Sequence, residues 1–341
     1  MGGVPWSSIH AGVHRLLRSH PLLPPGAPVL VAVSGGQDSV CLLKLLVDLQ
    51  PKWGWQLQVV HCDHRWRPDS GANAAFVQQL SEDWGLPYHG VTAAAACATE
   101  AAARQWRYQV FATVAQAAGC TQVATGHTAS DRSETLLYNL LRGSGSDGLQ
   151  ALVWHRPLSP ASPVTVVRPL LALTRQQTGD FCRQFELPIW EDATNQDLGY
   201  ARNRIRLELL PYLRSHFNPG VETTLAQTAE LLTAEVELLE GMAAELYGEV
   251  VCGDEVGESG EMGERVWRVL RKPLAAAPVA LQRRVLRRVL LEAATAQVSF
   301  EHVEKLMALL TAPNGSQSDP FPGGAIAVVA GEWVVVRGGG E

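Results

Sequence analysis

Apolar residues crowd positions 29–33, stop at Ser34-Gly35-Gly36, and resume with helical spacing over 40–49. The pattern predicts a strand, a tight turn and a helix N-terminus in immediate succession. Further along, 57–61 reads as a second strand, 70–84 as a helix stopped at Gly85, and 88–91 as a short strand. Residues 99–118 predict a helix capped by Thr99 and ended by Gly119, followed by a strand at 121–125 and a helix over about 131–141. Strands alternating with helices predict parallel pairing, hence a doubly wound α/β sheet. Ligands of such sheets bind beyond the carboxyl ends of the strands. The loops after Val33, Val60 and Thr125 are therefore expected to face one site.

The pattern changes in the second half of the chain. Residues 202–213 predict a helix, and Asn218-Pro219-Gly220 marks a boundary. A long acidic amphipathic helix is expected over 221–247 and a second helix over 279–293, with Arg283, Arg284, Arg287 and Arg288 in pairs beside an apolar face. The Gly/Glu-rich stretch 248–263 is expected to be a mobile loop, and 325–336 to close as a hairpin turned at Gly331-Glu332. The expected division is an N-terminal helical extension (1–25), an α/β domain with a linker helix (26–217) and a smaller, mainly helical C-terminal domain (218–341).

At 341 residues the chain can bury a large core. No apolar run reaches the ~18 residues of a membrane span. The N-terminus shows no secretory pattern, and the six cysteines form no C-x-x-C pair, as expected for a reducing cytoplasm. The net charge of −6 conceals a segregated distribution. Residues 221–264 hold 12 acids and no Lys or Arg, whereas 265–288 hold eight basic side chains and no acid. Local basic surfaces thus survive in an acidic protein, and Arg284 and Arg288 could track a nucleic-acid backbone or simply solvate a helix.

The turn at 34–39 carries the chemistry. Free N–H groups and the positive end of a helix dipole converge there, which suits an anion. Gly35 and Gly36 allow close backbone approach, and Ser34 and Ser39 supply hydroxyls. Asp38 is out of place in a phosphate cradle unless it holds a divalent cation or caps the helix. The turn lacks the lysine of a G-x-x-x-x-G-K-[ST] loop. After the second strand come His61, Cys62, Asp63, His64 and Arg67, and after 121–125 come Gly126, His127, Asp131 and Glu134. Asp131 and Glu134, three apart, share a helix face and can share a cation or an ammonium. His61 and His64 lack further ligands at a zinc spacing.

Ser34-Gly35-Gly36-Gln37-Asp38-Ser39 resembles the SGGxDS loop of the PP-loop ATP pyrophosphatases. Other segments narrow the resemblance. His61-Cys62-Asp63-His64 with Arg67 is similar to the H-x-N-H-x-x-R segment of tRNA(Ile)-lysidine synthetases. Glu100, Arg104, Arg107 and Tyr108 are similar to their E-x-x-A-R-x-x-R-Y helix. Gly126-His127, Asp131, Glu134-Thr135 and Arg142-Gly143-Ser144-Gly145 follow in the family's order, as do Arg168-Pro169-Leu170-Leu171, Trp190-Glu191-Asp192 with Asn195, and Arg202-Asn203 with Arg206. The chain departs from the pattern at Ser130, where the family has the first Asp of a pair, and at Asp63, where it has Asn. The extra C-terminal domain of longer family members is not expected.

The resemblance implies a PP-loop catalytic domain followed by a tRNA-binding domain. The activity it implies is a ligase that uses ATP and Mg²⁺ to adenylate the first anticodon cytidine of the CAU-anticodon isoleucine tRNA. Free L-lysine then displaces AMP to form lysidine, and codon reading changes from AUG to AUA. It places Asp38, Asp131, Glu134 and Arg104 in catalysis, with Asp38 and Asp131 toward the metal. Ser34, Gly35, Gly36, Gln37, Asp38, Ser39, His61, His64, Gly126 and His127 fall to ATP, and Arg67, Arg107, Arg142, Arg202, Arg206, Arg284 and Arg288 to tRNA. A homodimer stays open. Two other readings remain: a thiolating PP-loop enzyme, which usually needs clustered cysteines, and a non-catalytic nucleotide- or tRNA-binding protein, against which the intact loop and acids speak.

Overall fold

The computed structural model of the chain describes residues 6–66, 68–97, 99–191, 193–256, 264–293 and 298–338. Helix α1 (Ser8–Ser19) leads into β1 (Pro28–Ala32), α2 (Gln37–Trp53), β2 (Gln56–Asp63), α3 (Ser70–Asp83), β3 (Tyr88–Thr92), α4 (Glu100–Ala117), β4 (Gln122–Thr125) and α5 (Ala129–Leu141). The short elements α6 (Ser146–Leu149), β5 (His155–Pro157) and β6 (Thr165–Val167) precede α7 (Arg175–Gln184) and α8 (Ala201–Arg204). A π-helical turn over Ile205–Leu209 then joins α8 to α9 (Leu210–His216).

The strands form one six-stranded sheet in the order β3-β2-β1-β4-β6-β5. Five of them pair in parallel, and β5 closes the edge antiparallel to β6. This edge pair was not legible in the sequence, because three-residue strands carry too few positions to show a period. Val29, Leu30 and Val31 of β1 are all buried. That is the signature of a central strand covered on both faces. Val29 and Val31 pack with α2 and α7, and Leu30 with Val110 and Phe111 of α4 on the other face. The order reverses between β1 and β4, so the turns following these two strands open into one crevice.

Helix α1 is part of this core. Val13 and Leu17 are buried in it, and the fully buried His10 meets Asp48 of α2 at 3.0 Å. Burying two such apolar side chains contributes roughly 1.5–3 kcal/mol each, and α1 thereby braces the helix that begins at the Gly-Gly turn.

Contacts divide the chain into residues 1–233 and 234–341. The division falls inside α10 (Val221–Val250). The second unit continues with β7 (Val251–Val256), β8 (Glu264–Leu270), α11 (Arg271–Ala276), α12 (Val279–Ala293), α13 (Phe300–Ala308), β9 (Ile326–Ala330) and β10 (Trp333–Arg337). Its strands make an antiparallel sheet in the order β7-β8-β10-β9. The unit is thus less purely helical than expected: 251–256 is a strand rather than a loop, and the β9–β10 hairpin is extended by β8 and β7. The alternation Trp267, Val269 and Val334, Val336 turns one sheet face onto Leu281, Val285, Leu286, Val289 and Leu290 of α12. Residues 257–263 lie outside the described residues.

Candidate active site

The turns after β1, β2 and β4 do converge. They line a cavity of about 360 Å³ with contributions from Ser34, Gly36, Gln37, Asp38, Ser39, His61, His64, Gly126, His127 and Asp131. The loop is rigid by its own bonds. Ser39 Oγ donates to the Gly36 carbonyl at 2.8 Å, Ser34 N–H donates to Ser39 Oγ, and Gly36 N–H donates to Ser34 Oγ. Gly35 takes φ +88°, and a Cβ there would stand 2.7 Å from Asn73 Nδ2. The β4 turn approaches so closely that a Cβ on Gly126 would fall 2.9 Å from the Asp38 carbonyl. Both glycines are needed for backbone geometry, one for its dihedral and one for its proximity.

Asp38 opens into this space from the first turn of α2, but its carboxylate is gripped by α7. Arg175 Nη1 donates to Oδ2 at 3.1 Å, and Thr178 Oγ1 donates to Oδ1. Gln37 Nε2 donates to the Arg175 carbonyl and to Thr178 Oγ1, fixing the same helix. Burial raises the Asp38 pKa above the ordinary carboxylate value. Arg175 opposes that shift, and the nearby Asp131 adds to it. Sequence reasoning missed Arg175 and Thr178. Their only signal was a capped helix start at Thr174, shortly after the Arg168-Pro169-Leu170-Leu171 segment.

Asp131 is the N3 residue of α5. Its Oδ2 accepts from both the N–H and the hydroxyl of Thr128 in a capping box. Burial opposes its charge, but His127, the Thr128 bonds and Arg206 outweigh that and hold the carboxyl below its usual range. Burial pushes the His127 imidazole well down, against the opposing pull of Asp131. His127 Nδ1 meets Thr125 Oγ1, and His61 Nδ1 meets the Val33 carbonyl, so both rings also brace their turns.

Glu134 points elsewhere. It lines a second cavity, about 300 Å³, with Gln37, Ser130, Arg175, Arg183, Arg206 and Glu222. Gln37 and Arg175 belong to both cavities. The cation that Asp131 and Glu134 share is Arg206. Its Nε and Nη2 donate to Glu134 at 2.6 and 2.8 Å, and Nη2 lies 3.5 Å from Asp131. Arg206 sits in the π-helical turn, which widens the helix where its side chain turns inward. Expected among the tRNA contacts, Arg206 is instead bound to the acid pair. Burial raises the Glu134 pKa and Arg206 pulls it back.

The opposite wall comes from α4. Arg104, Arg107 and Tyr108 line the first cavity, with the Arg104 guanidinium 4.9 Å from the Tyr108 ring centroid. Arg202 meets Glu100 at 3.5 Å. Arg142 is exposed beside Tyr138. In the second unit Arg284 pairs with Glu240, while Arg288 lies 4.1 Å from the Tyr247 ring centroid and bonds Glu292. Arg67 and Asp192 lie outside the described residues.

Residues 10–213 match the PP-loop domain model, and 271–334 match the TilS substrate binding domain. The tRNA(Ile)-lysidine synthase of Nostoc sp. is 56% identical over 337 residues, spanning 98% of each chain. That of Thermosynechococcus vestitus is 49% identical over 96% of this chain and 92% of its own. The chain belongs to the tRNA(Ile)-lysidine synthase family. The U34-tRNA thiolase NcsA from Methanococcus maripaludis shares the fold, with a TM-score of 0.53 over 65% of this chain and 78% of its own at 17% identity. Two departures from the lysidine synthase pattern now have physical accounts. Asp63 accepts from Arg65 N–H at 2.8 Å and from Ser70 Oγ at 3.2 Å, so it shapes the loop into α3. Ser130 donates to Glu222 and accepts from Arg175 N–H at 3.0 Å, so it ties the start of α5 to α7 and α10.

Proposed function

We propose that this chain joins free L-lysine to C2 of the first anticodon cytidine of the CAU-anticodon isoleucine tRNA, so that AUA is read in place of AUG. The observation that supports this best is the pair of cavities with a common wall. One has a nucleotide-sized volume and an anion-accepting loop. The other carries a buried carboxylate, Glu134, beside several guanidinium groups.

The cytidine C2 oxygen attacks the α-phosphorus of ATP, the bond to the β-phosphate oxygen breaks, and diphosphate leaves. The lysine ε-ammonium loses a proton to solvent, the neutral amine attacks C2, the C2–O bond breaks with AMP as leaving group, and the new C–N nitrogen releases a second proton to solvent. The loop N–H groups not bonded within the loop, those of Gly35, Gln37 and Asp38, and Arg175 hold the departing diphosphate. Such preorganised donors act where charge develops. Arg104 and Arg107 face the nucleotide from α4 and suit its α-phosphate and the tRNA backbone. Asp38 and Asp131 are hard oxygen donors facing one cavity, and would hold Mg²⁺, which supplies neutralisation of phosphate charge. Glu134 meets the lysine ammonium by yielding part of its bond to Arg206. Arg67, Arg142, Arg202 and Arg288 are the candidate tRNA contacts.

Incubation with ATP, radiolabelled lysine and unmodified tRNA of this type tests the reading. Label in the RNA, with AMP released, is expected. AMP release with no transfer of label would remove it.

A further inference from the structure

We propose that Asn73 is a diphosphate-binding residue, a neutral donor that completes the anion cradle of the 34–39 loop. This rests on the ATP reading above and extends it to a residue outside every motif of the sequence.

Asn73 stands in the first turn of α3 and is 6% exposed. Its side chain is part of the nucleotide cavity wall. Its Nδ2 is buried and has no hydrogen-bond partner among the described residues. Buried polar groups are nearly always paired, and leaving one unpaired is costly. Val77 and Leu80, four and seven positions on along the same helix face, are buried and apolar. An amide retained among them without a partner needs a reason.

Its position supplies one. Nδ2 is 2.7 Å from where a Gly35 Cβ would stand, against the first glycine of the loop. A second residue packed against the same glycine also carries an unmatched donor. Trp190 donates its backbone N–H to the Gly35 carbonyl at 2.9 Å, and its buried indole Nε1 also has no partner among the described residues. The Trp190 Cβ is 3.2 Å from the same Gly35 Cβ position, and Trp190 lines the same cavity. Two residues packed against one loop glycine therefore each carry a buried donor with no partner among the described residues. Phosphate oxygens are acceptors only, and a diphosphate seated on the loop offers several of them at this point.

The test uses the full chain and Mg²⁺-diphosphate as probe, with affinity read by titration calorimetry and Tm read with and without the probe. Asn73→Ala is expected to weaken diphosphate binding roughly 10-fold or more, and Asn73→Asp, which turns the donor into a repelling acceptor, to weaken it further. The ligand-free Tm of Asn73→Ala should equal or exceed that of the wild type, because an unpaired donor has been removed. The tRNA affinity should not change. Unchanged diphosphate affinity in folded Asn73→Ala overturns the assignment. So does equal loss of ligand-free Tm in both variants, which marks a packing role, and so does a wild type that binds no diphosphate. Asn73-dependent diphosphate binding in a wild type that transfers no lysine supports the assignment while removing the lysidine reading.

Discussion

Arg206 holds Glu134 by two parallel hydrogen bonds, Nε to Oε1 at 2.6 Å and Nη2 to Oε2 at 2.8 Å, although 72 positions separate them in the chain. The Glu134 side chain is only 3% exposed. Removing one partner from a buried pair leaves an uncompensated charge and costs about 3–5 kcal/mol. Arg206→Ala is expected to destabilise the protein on that scale. Replacing both residues with alanine should cost clearly less than the sum of the single changes. Urea denaturation of the four species measures the coupling. Additive losses would show that the pair does not act as a unit.

The pH dependence of Asp131 has a definite sign. Its folded carboxyl lies below the ordinary value of 3.8, so the folded state favours the ionised form. That stabilisation is complete above the ordinary value and is lost as pH falls through the folded value. Wild type should therefore exceed Asp131→Asn in Tm by most at about pH 7, with the gap closing below about pH 4. A gap of constant size across this range would mean that the carboxylate charge is not what stabilises the turn.

Gly126→Ala should separate folding from chemistry. A methyl group there meets the Asp38 carbonyl and the Ser39 nitrogen, so the two turns must part. Overpacking of this kind costs about 1–3 kcal/mol. The expected result is a folded protein whose AMP formation drops by at least ~100-fold, since small displacements of reacting groups are that costly. Near-normal AMP formation would place the reacting phosphate away from this junction.

Cys62 lines the nucleotide cavity, yet its thiol is inert at neutral pH because burial pushes its pKa up to about 12. Cys62→Ser should keep most lysine transfer, and alkylation at about pH 8 should label the exposed Cys252 well before Cys62. Loss of transfer in a folded Cys62→Ser protein would revive a sulfur-transfer mechanism.

The paired arginines of α12 are not equivalent. The Arg284 side chain is 10% exposed and bound to Glu240, whereas that of Arg288 is 52% exposed. Arg288→Ala should lower the log–log salt slope of tRNA binding by about 0.7–0.9, the contribution of one phosphate contact. Arg284→Ala should leave the slope unchanged and lower Tm instead. Equal slope changes in both would mean that Arg284 exchanges Glu240 for phosphate.

Much of the first unit was legible in the residue pattern. The runs at 29–33, 57–61 and 121–125 became β1, β2 and β4, and the turns after them met at one cavity, as a switch point in a doubly wound sheet requires. The edge strand β5 and its neighbour β6 were missed because they are three residues long, and β7 because its Gly/Glu-rich surroundings read as a loop. The second unit's four-stranded sheet depends on pairing between segments far apart in the chain, to which local periodicity is blind.

The sequence by itself determined the loop chemistry: which glycines, hydroxyls and carboxylates stand at a strand-to-helix turn, and that their free N–H groups suit an anion. Such features are local, set by dihedral preference and helix polarity within a few residues. Only the tertiary structure decided what those residues touch. Asp38 is gripped by Arg175 and Thr178, Arg206 is drawn onto Glu134, Ser130 is joined to Glu222, and Asn73 Nδ2 is left beside Gly35 without a partner among the described residues. These relationships join elements remote in sequence. They are settled by which charges are buried together, and burial is a property of the packed chain rather than of any segment of it.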